Sequence, residues 1–218
     1  MNQVLLKFNL FKFPVNIHFS FLFLCLVFST PGVGAVVNFA IICSIFVAIL
    51  GHEMGHASVL RRLRIPSEIH LMFFGGQTVW NPSGVRFHHS WDILLNVAGV
   101  SVNIIIAAIC FLIERSAMPS HPFLAVFIQV SFYVNLVLAV LNLCPVLPLD
   151  GGKLLHNLLA MFMKPKSAVL TTLSISFVTA LMLAVASIVY TDYLFAPILF
   201  GIFAFENFHK LTAFAAGE

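Results

Sequence analysis

The chain has 218 residues, of which 61% are hydrophobic and only 9% are charged, and its mean hydropathy is +1.04. A water-soluble domain of this length needs far more charge to cover its surface, so the composition excludes an ordinary soluble protein and favours a membrane protein. The formal net charge of +3 is too small and too scattered to indicate a nucleic-acid partner. We therefore expect the lipid bilayer to contact most of the surface.

Six stretches are long and apolar enough, or nearly so, to be interpreted as transmembrane helices of about 20 residues each. In chain order they are Val15–Thr30, Val36–Val59, Ile93–Ile113, Phe123–Leu143, Ser167–Tyr190 and Tyr193–Phe208. The predicted fold class is an all-α polytopic membrane protein with about six transmembrane helices and a short β-strand or re-entrant region after the second. We expect a single integral-membrane domain over residues 1–218.

The distribution of positive charge predicts an orientation. With six spans and a cytoplasmic N-terminus, ten of the eleven Lys and Arg residues lie in cytoplasmic segments, and only Arg115 lies outside. Lys and Arg accumulate in the cytoplasmic loops of membrane proteins. We therefore expect a multi-pass membrane protein with both termini in the cytoplasm. The bacterial inner (cell) membrane is the membrane in which we expect it.

The second span ends in a His-Glu-Met-Gly-His pattern, which runs from His52 to His56. Residues four apart share one face of a helix, so both histidines can reach the same metal ion, while Glu53 lies beside them. Ionisable groups at the end of a membrane span are costly and usually functional. The alternative is a polar helix end with satisfied histidines. The pattern favours a catalytic zinc site, which keeps one open coordination position, and we expect this site toward the cytoplasmic side of the membrane.

Two histidines do not complete such a site, and a third ligand is expected from the segment after the fourth span. There Pro145 and Pro148 break the helix, and Gly151 and Gly152 permit a tight turn after Asp150. Asp150 is a candidate third ligand on irregular backbone. It is equally a candidate cap for a helix that starts near Lys153, and spacing alone does not decide between these roles.

The segment His70–Val79 is a candidate for substrate binding. A transmembrane helix hides its carbonyl groups in its own hydrogen bonds and must unwind before it can be cut. An exposed strand edge can then hold the extended peptide by main-chain hydrogen bonds. The alternative for this segment is an amphipathic lid or re-entrant piece without substrate contact.

Two strings of residues carry a family resemblance. The first is HEMGHA at His52–Ala57, and the second is NLCPVLPLDGG at Asn142–Gly152. Together they resemble the site-2 protease family of intramembrane zinc metalloproteases. The resemblance implies that His52, His56 and Asp150 are zinc ligands and that Glu53 is the catalytic acid and base. It also implies that Asn142 acts near the substrate or the oxyanion.

Two weaker similarities extend the resemblance. The Gly75-Gly76 step after the motif helix is similar to a short strand region of the family, and Ala98, Gly99 and Asn103 are similar to a motif of its third core segment. Val100 stands where the family usually has a proline. On this basis Phe74, Gly75, Gly76 and Asn103 are candidate substrate-binding residues. Added PDZ or CBS domains, common in the family, are not visible, which implies a minimal form.

Three functions compete at this point. The first is an intramembrane zinc endopeptidase with one Zn²⁺ per chain, whose partner is a membrane-anchored protein cut in or near its transmembrane segment. The second is a zinc or cation transporter, although transport sites usually lie near the bilayer midplane with ligands from several helices. The third is a catalytically inactive membrane scaffold. The sequence indicates neither the identity of the substrate nor the oligomeric state.

Overall fold

The protein is described by a computed structural model over residues 4–29, 32–81, 89–190 and 194–216. The helices are α1 (Ser20–Val27), α2 (Ala35–Arg62), α3 (His89–Ser116), α4 (Pro122–Leu143), α5 (Asp150–Phe162), α6 (Pro165–Tyr190) and α7 (Phe195–Ala216). The strands are β1 (Val4–Leu10), β2 (Phe13–His18), β3 (Ser67–Met72) and β4 (Gly75–Trp80). The predicted class, mostly helical with short strands after the second span, is confirmed. Thr30, Arg86 and Tyr193, used in the span and charge predictions, lie outside the described residues.

Four helices in the described part of the chain are long and apolar enough to cross a membrane. They are Ala35–Arg62, Ser90–Ser116, Pro122–Leu143 and Pro165–Tyr190, and they coincide with the second to fifth predicted spans. The sixth predicted span is a helix of 22 residues, but it is not one of these four. Its apolar run is interrupted by Glu206, Asn207, His209 and Lys210. A multi-pass membrane protein is nevertheless supported.

The first predicted span, Val15–Thr30, is wrong as a continuous helix. Its start belongs to strand β2, and helix α1 has only 8 residues, about 12 Å of rise. An apolar run does not by itself distinguish a buried strand from a buried helix. Here Val15 is fully buried in β2, between β1 and β3, so the start of the run that suggested a span belongs to the sheet and its later part forms the short helix α1.

The four strands form one sheet in the order β1-β2-β3-β4. The β1–β2 and β3–β4 pairs are antiparallel, whereas β2 and β3 are parallel. The two residues between β3 and β4 are followed by Gly75 at φ 118°, a backbone conformation that favours glycine. Since β4 pairs only with β3 in the described sheet, β4 is an edge strand.

The chain divides into two compact units. The first unit comprises Met1–Arg86 and Ala98–Ala139. Within it, β3 and β4 pack against α2, and the β1–β2 turn is fixed to the basic end of α2. There the Arg61 guanidinium donates to the Phe11 carbonyl at 2.8 Å and lies over the Phe13 ring. The single domain over residues 1–218 stays a prediction.

The second unit comprises Phe87–Val97 and Val140–Glu218. Its buried core is formed by small and aromatic side chains of α6 and α7 around Val146. The loop before α5 is fixed at Leu147, whose N–H donates to Ser176 Oγ at 3.2 Å and whose carbonyl accepts from Asn207 Nδ2 at 2.7 Å. Helices α6 and α7 therefore fix the backbone that leads into α5.

Candidate metal centre

His52 and His56 lie one helical turn apart on α2, as the motif predicts. Both are almost fully buried, and their Nε2 atoms are 3.1 Å apart. The two rings meet edge to face at 77°, with their centroids 4.8 Å apart. Two imidazole nitrogens converge here in the interior of an apolar helix pair, an arrangement that suits a shared cation.

Gly99 of α3 leaves space at the point where the two imidazoles converge. A Cβ atom at this position would lie 2.6 Å from Nε2 of His52 and 2.6 Å from Nε2 of His56. Zinc is bound by imidazole nitrogens at about 2.0–2.1 Å, so open space beside both Nε2 atoms is what such an ion would require. The residues present therefore fit a metal ion, and a side chain at residue 99 would not leave room for one.

Asn103, one turn further along α3, is the hydrogen-bond partner of His52. Its Oδ1 is 2.7 Å from His52 Nδ1, and its Nδ2 donates to the Ala48 carbonyl and to Asn135 Oδ1. Asn103 and Asn135 are completely buried. The sequence suggested substrate contact for Asn103, which stays a prediction. The structure instead ties this side chain to a proposed metal ligand.

Glu53 is fixed by strand β4. The Thr78 hydroxyl lies 2.7 Å from Glu53 Oε2, and its other close acceptor is the Glu53 carbonyl at 3.1 Å. Gly76 faces the same carboxylate, because a Cβ there would lie 2.7 Å from Glu53 Oε1. The absence of a side chain at residue 76 thus lets β4 approach the carboxylate. A substrate contact by Gly75 or Gly76 stays a prediction.

Asp150 lies in the second unit and is 3% exposed. The Lys153 ammonium is 3.1 Å from its Oδ1. Helix α5 begins at Asp150 itself, three residues before the start expected from sequence. The expected tight turn at Gly151 and Gly152 is wrong. Both glycines are in the first helical turn, where a Cβ would collide with backbone atoms at the end of α4 and in the loop that follows it.

Two other predicted site residues are placed as follows. Phe74 is 61% exposed in the turn between β3 and β4, so it precedes the edge strand and does not belong to it. Asn142 is the penultimate residue of α4 and is partly buried. The catalytic role of Asn142 stays a prediction.

Sequence reasoning missed Thr78 and Asn135. Asn135 could have been flagged, because an amide within the apolar fourth span needs a polar partner. Thr78 gave no such signal, since a threonine in a strand is ordinary. Its function depends on the packing of β4 against α2, which is a tertiary contact.

His52 and His56 of the first unit each offer an imidazole nitrogen as a ligand atom, and Asp150 of the second unit offers a carboxylate oxygen. Two imidazoles and a carboxylate are a donor set typical of zinc. Zinc is accordingly the cofactor that the residues favour.

Three comparisons with known proteins agree with this reading. The model of peptidase family M50 matches residues 113–185. A zinc metalloprotease of Methanocaldococcus jannaschii is 25% identical over 166 residues, which cover 73% of this chain and 47% of the relative. The chain thus spans about half the length of that curated relative. The solved structure of a site-2 protease from the same organism has a TM-score of 0.64, with 17% identity and 94% of each chain covered.

The fold and the buried His-Glu-x-x-His helix first define a class, the polytopic membrane proteins with a candidate metal site on a membrane helix. Within this class, the family model and the curated relative both indicate metallopeptidases. The solved structure of similar fold agrees with them. The chain is thus similar to peptidase family M50 over residues 113–185 and to a curated zinc metalloprotease, and its fold is similar to that of a site-2 protease.

Proposed function

We propose that the chain is an intramembrane zinc endopeptidase that hydrolyses peptide bonds in or near transmembrane segments of membrane-anchored proteins. The observation that carries this proposal is a buried glutamate fixed beside two converging imidazoles on a membrane helix. His52 lies ten residues before Arg62, or about 15 Å from the basic end of α2. The hydrocarbon core of a bilayer is about 30 Å thick, so this depth supports a reaction within the membrane.

The residues have separate roles in this proposal. His52, His56 and Asp150 would hold one zinc ion, which when bound would act as a Lewis acid toward water and the peptide carbonyl. Glu53 accepts a proton from the attacking water and passes it to the leaving amine. Thr78 donates to one oxygen of this carboxylate and so fixes its orientation. Asn142 is proposed to act near the developing oxyanion.

Strand β4 is the proposed docking edge for an unwound substrate. Met72 and Gly75 are the residue pair next to the turn that joins β3 and β4. From this pair onward, hydrogen-bonded pairs alternate with non-hydrogen-bonded pairs along the antiparallel ladder. The backbone N–H and C=O groups of Gly76 and Thr78 consequently point away from β3. The Thr78 side chain contacts Glu53, and the backbone of Gly76 lies close to the same carboxylate. A peptide paired with this edge would therefore pass beside the proposed base.

We propose that the basic end of α2 faces the cytoplasm and that the site opens toward that side. Arg61 and Arg62 lie in the last turn of α2, and the N-terminal hairpin that carries Lys7 and Lys12 is attached to Arg61. Arg64 follows two residues after α2, and Lys12 is next to Phe11 in the β1–β2 turn, so four basic residues lie together at this end of the first unit. Such a concentration is typical of cytoplasmic segments.

The test is cleavage of a tagged single-span substrate by the purified chain in detergent or liposomes. Glu53→Gln keeps the size and hydrogen-bonding reach of the side chain but removes its basicity, so cleavage should fall by a factor of about 100 or more. Glu206→Gln is the matched control. Glu206 is an exposed glutamate of α7 paired with Lys210 at 3.6 Å, and its substitution should leave cleavage unchanged.

The same preparation separates the competing functions. Zinc transport into liposomes that survives Glu53→Gln, with no cleavage of several substrates by the wild type, would replace the peptidase with a transporter. Loss of cleavage in Glu53→Gln while bound zinc stays at the wild-type amount would support the proposed base.

A further inference from the structure

A buried chain of polar side chains leads away from His52 into the membrane helices. His52 Nδ1 meets Asn103 Oδ1 at 2.7 Å, and Asn103 Nδ2 meets Asn135 Oδ1 at 2.8 Å. Asn135 Nδ2 donates to the Ser131 carbonyl at 2.8 Å. All these side chains belong to the first unit, and Asn103 and Asn135 are completely buried. Buried amides among apolar helices are costly unless they are satisfied, so their presence here needs a reason.

The partners determine which way each amide points. The Ser131 carbonyl can only accept, so the NH₂ group of Asn135 faces it and the Asn135 oxygen faces Asn103. The Ala48 carbonyl, 3.0 Å from Asn103 Nδ2, can also only accept. Both amide hydrogens of Asn103 are thus directed to acceptors, and its oxygen is directed to His52.

This orientation fixes the tautomer of His52. An amide oxygen can only accept, so the ring nitrogen that faces it must carry the hydrogen. Nδ1 of His52 therefore donates to Asn103, and Nε2 keeps its lone pair. That lone pair is the one that points toward His56 Nε2 and the space left by Gly99. The polar chain presents His52 in the form that a cation requires.

We infer that Asn103 is a positioning residue that holds His52 in its metal-binding tautomer and orientation, and that Asn135 holds Asn103 in turn. The inference rests on the proposed function, because it concerns a ligand of the proposed metal centre. It assigns to Asn103 a role behind the metal site and not at the substrate. The backbone carbonyls of Ala48 and Ser131 accept from the two amides and so fix the donor-to-acceptor direction of this series of side-chain hydrogen bonds.

The test measures metal affinity and not turnover. The full chain is purified in detergent and stripped of metal, and its zinc dissociation constant is measured against a competing chelator, with cobalt spectra as a second readout of ligand geometry. Asn103→Leu removes the acceptor and should weaken zinc binding by about 10- to 100-fold. Asn103→Asp keeps an oxygen for His52 Nδ1–H but loses both donors, so its affinity should lie between the leucine variant and the wild type.

Ser131→Ala is the matched control. It removes a hydroxyl of the same polar cluster, bonded to Ser44 at 3.0 Å, but leaves the Ser131 carbonyl that orients Asn135. Its zinc affinity and cobalt spectrum should equal those of the wild type. If Asn103→Leu does not fold, Asn135→Leu decides, because it frees the Asn103 amide while the contact with His52 remains possible. A reduced affinity in this variant supports the inference, and an unchanged affinity overturns it.

Two results overturn the inference while the proposed function stands. One is a wild type that binds zinc and cleaves substrate, with unchanged zinc affinity and cobalt spectrum in Asn103→Leu. The other is a lower affinity for Asn103→Asp than for Asn103→Leu, which a purely structural role predicts because a buried charge is worse than an apolar side chain. A folded wild type that binds no zinc at all overturns both the inference and the proposed function.

Discussion

At the scale of single residues, the site depends as much on an absent side chain as on the ligands. The space between His52 and His56 exists only because residue 99 has no Cβ atom. The histidines could be predicted from their spacing on a helix, since four residues bring them to one face. The need for Gly99 could not, because it depends on how closely α3 approaches α2, where Gly55 also lies against the Ala98 carbonyl.

Gly99→Ala should therefore abolish zinc binding in protein that is still inserted in detergent micelles. The new methyl group would lie 2.6 Å from both Nε2 atoms, which are the atoms that would hold the ion. Bound zinc per chain is the measurement, with circular dichroism as the check on folding. Gly201→Ala is the control, since a Cβ at Gly201 in α7 would meet nothing within 4 Å. Full zinc occupancy in Gly99→Ala would contradict the proposed placement of the ion.

Thr78 provides a second prediction at this scale. Thr78→Val keeps the shape of the side chain but removes the hydroxyl that donates to Glu53 at 2.7 Å. A hydrogen bond to a charged group is worth about 1.5–3 kcal/mol, so kcat should fall by roughly 10- to 100-fold. Thr78→Ser restores the donor and should recover most of the rate. Equal rates for the valine and serine variants would show that the hydroxyl does not position the base.

At the scale of elements, the sheet is where sequence reasoning was weakest. The apolar stretch at Val15 predicts part of a helix, but β2 pairs in parallel with β3, which lies some fifty residues later in the chain. Such long-range pairing is invisible to a local pattern. The strand after the motif helix was anticipated, and the edge position of β4 agrees with it. The turn residue Phe74, taken as part of that edge, precedes the strand.

A histidine pair across the β2–β3 pairing predicts a pH dependence for the sheet. His18 Nε2 and His70 Nδ1 are 2.8 Å apart. Burial, then the neighbouring His18 and Lys7, lower the pKa of His70 below its usual 6.5, against the opposite effect of Glu68. The unfolded chain then binds more protons as the pH falls through about 6.5, so the folded state loses stability below this pH.

Thermal unfolding of the detergent-solubilised protein between pH 7.5 and pH 5 measures this effect. The unfolding midpoint should fall as the pH drops below about 6.5 in the wild type and fall less in His70→Gln, which cannot gain the proton. His156→Gln is a suitable control, because His156 belongs to the second unit, where it contacts Thr172, and not to the sheet. The same decrease in wild type and His70→Gln would show that His70 does not link sheet stability to pH.

At the scale of the whole molecule, the first predicted span does not have the secondary structure expected of it, although the predicted position of the N-terminus is still supported. Its residues are not one helix, yet they run along α2. The β1–β2 turn contacts Arg61, whereas Phe21 in α1 meets Phe46, about 24 Å of helix rise before Arg62. The segment thus progresses from the basic end of α2 toward its middle. This path keeps the N-terminal lysines at the basic end although the continuous helix is absent.

Cysteine labelling in membrane vesicles tests that arrangement. In a background without the four native cysteines, single cysteines at Lys12 and at Arg64 should react with an impermeant reagent from the same side. A cysteine at Arg115, near the end of α3, should react only from the opposite side. Labelling of the Lys12 and Arg115 positions from one side would contradict the proposed orientation.

Sequence predicts those features of the fold and site that depend on residues close together in the chain, and it misses those that depend on tertiary contacts. Helices α2, α3, α4 and α6 follow from apolar length alone, and the proposed ligands follow from two short strings. The positions of Asn135 and Thr78 beside those strings arise from contacts across the fold, so no local pattern contains them. The start of α5 at Asp150 was missed because paired glycines ordinarily indicate a turn, whereas here they allow close backbone packing.

The most direct test of the central claim is the zinc content of purified ligand variants. The wild type, Glu53→Gln and His156→Gln should each retain about one zinc per chain, because none of these changes removes a proposed ligand. His52→Ala, His56→Ala and Asp150→Ala should each lose most of it while remaining folded. Unchanged zinc in Asp150→Ala or in either histidine variant would contradict the metal centre from which the proposed function is argued.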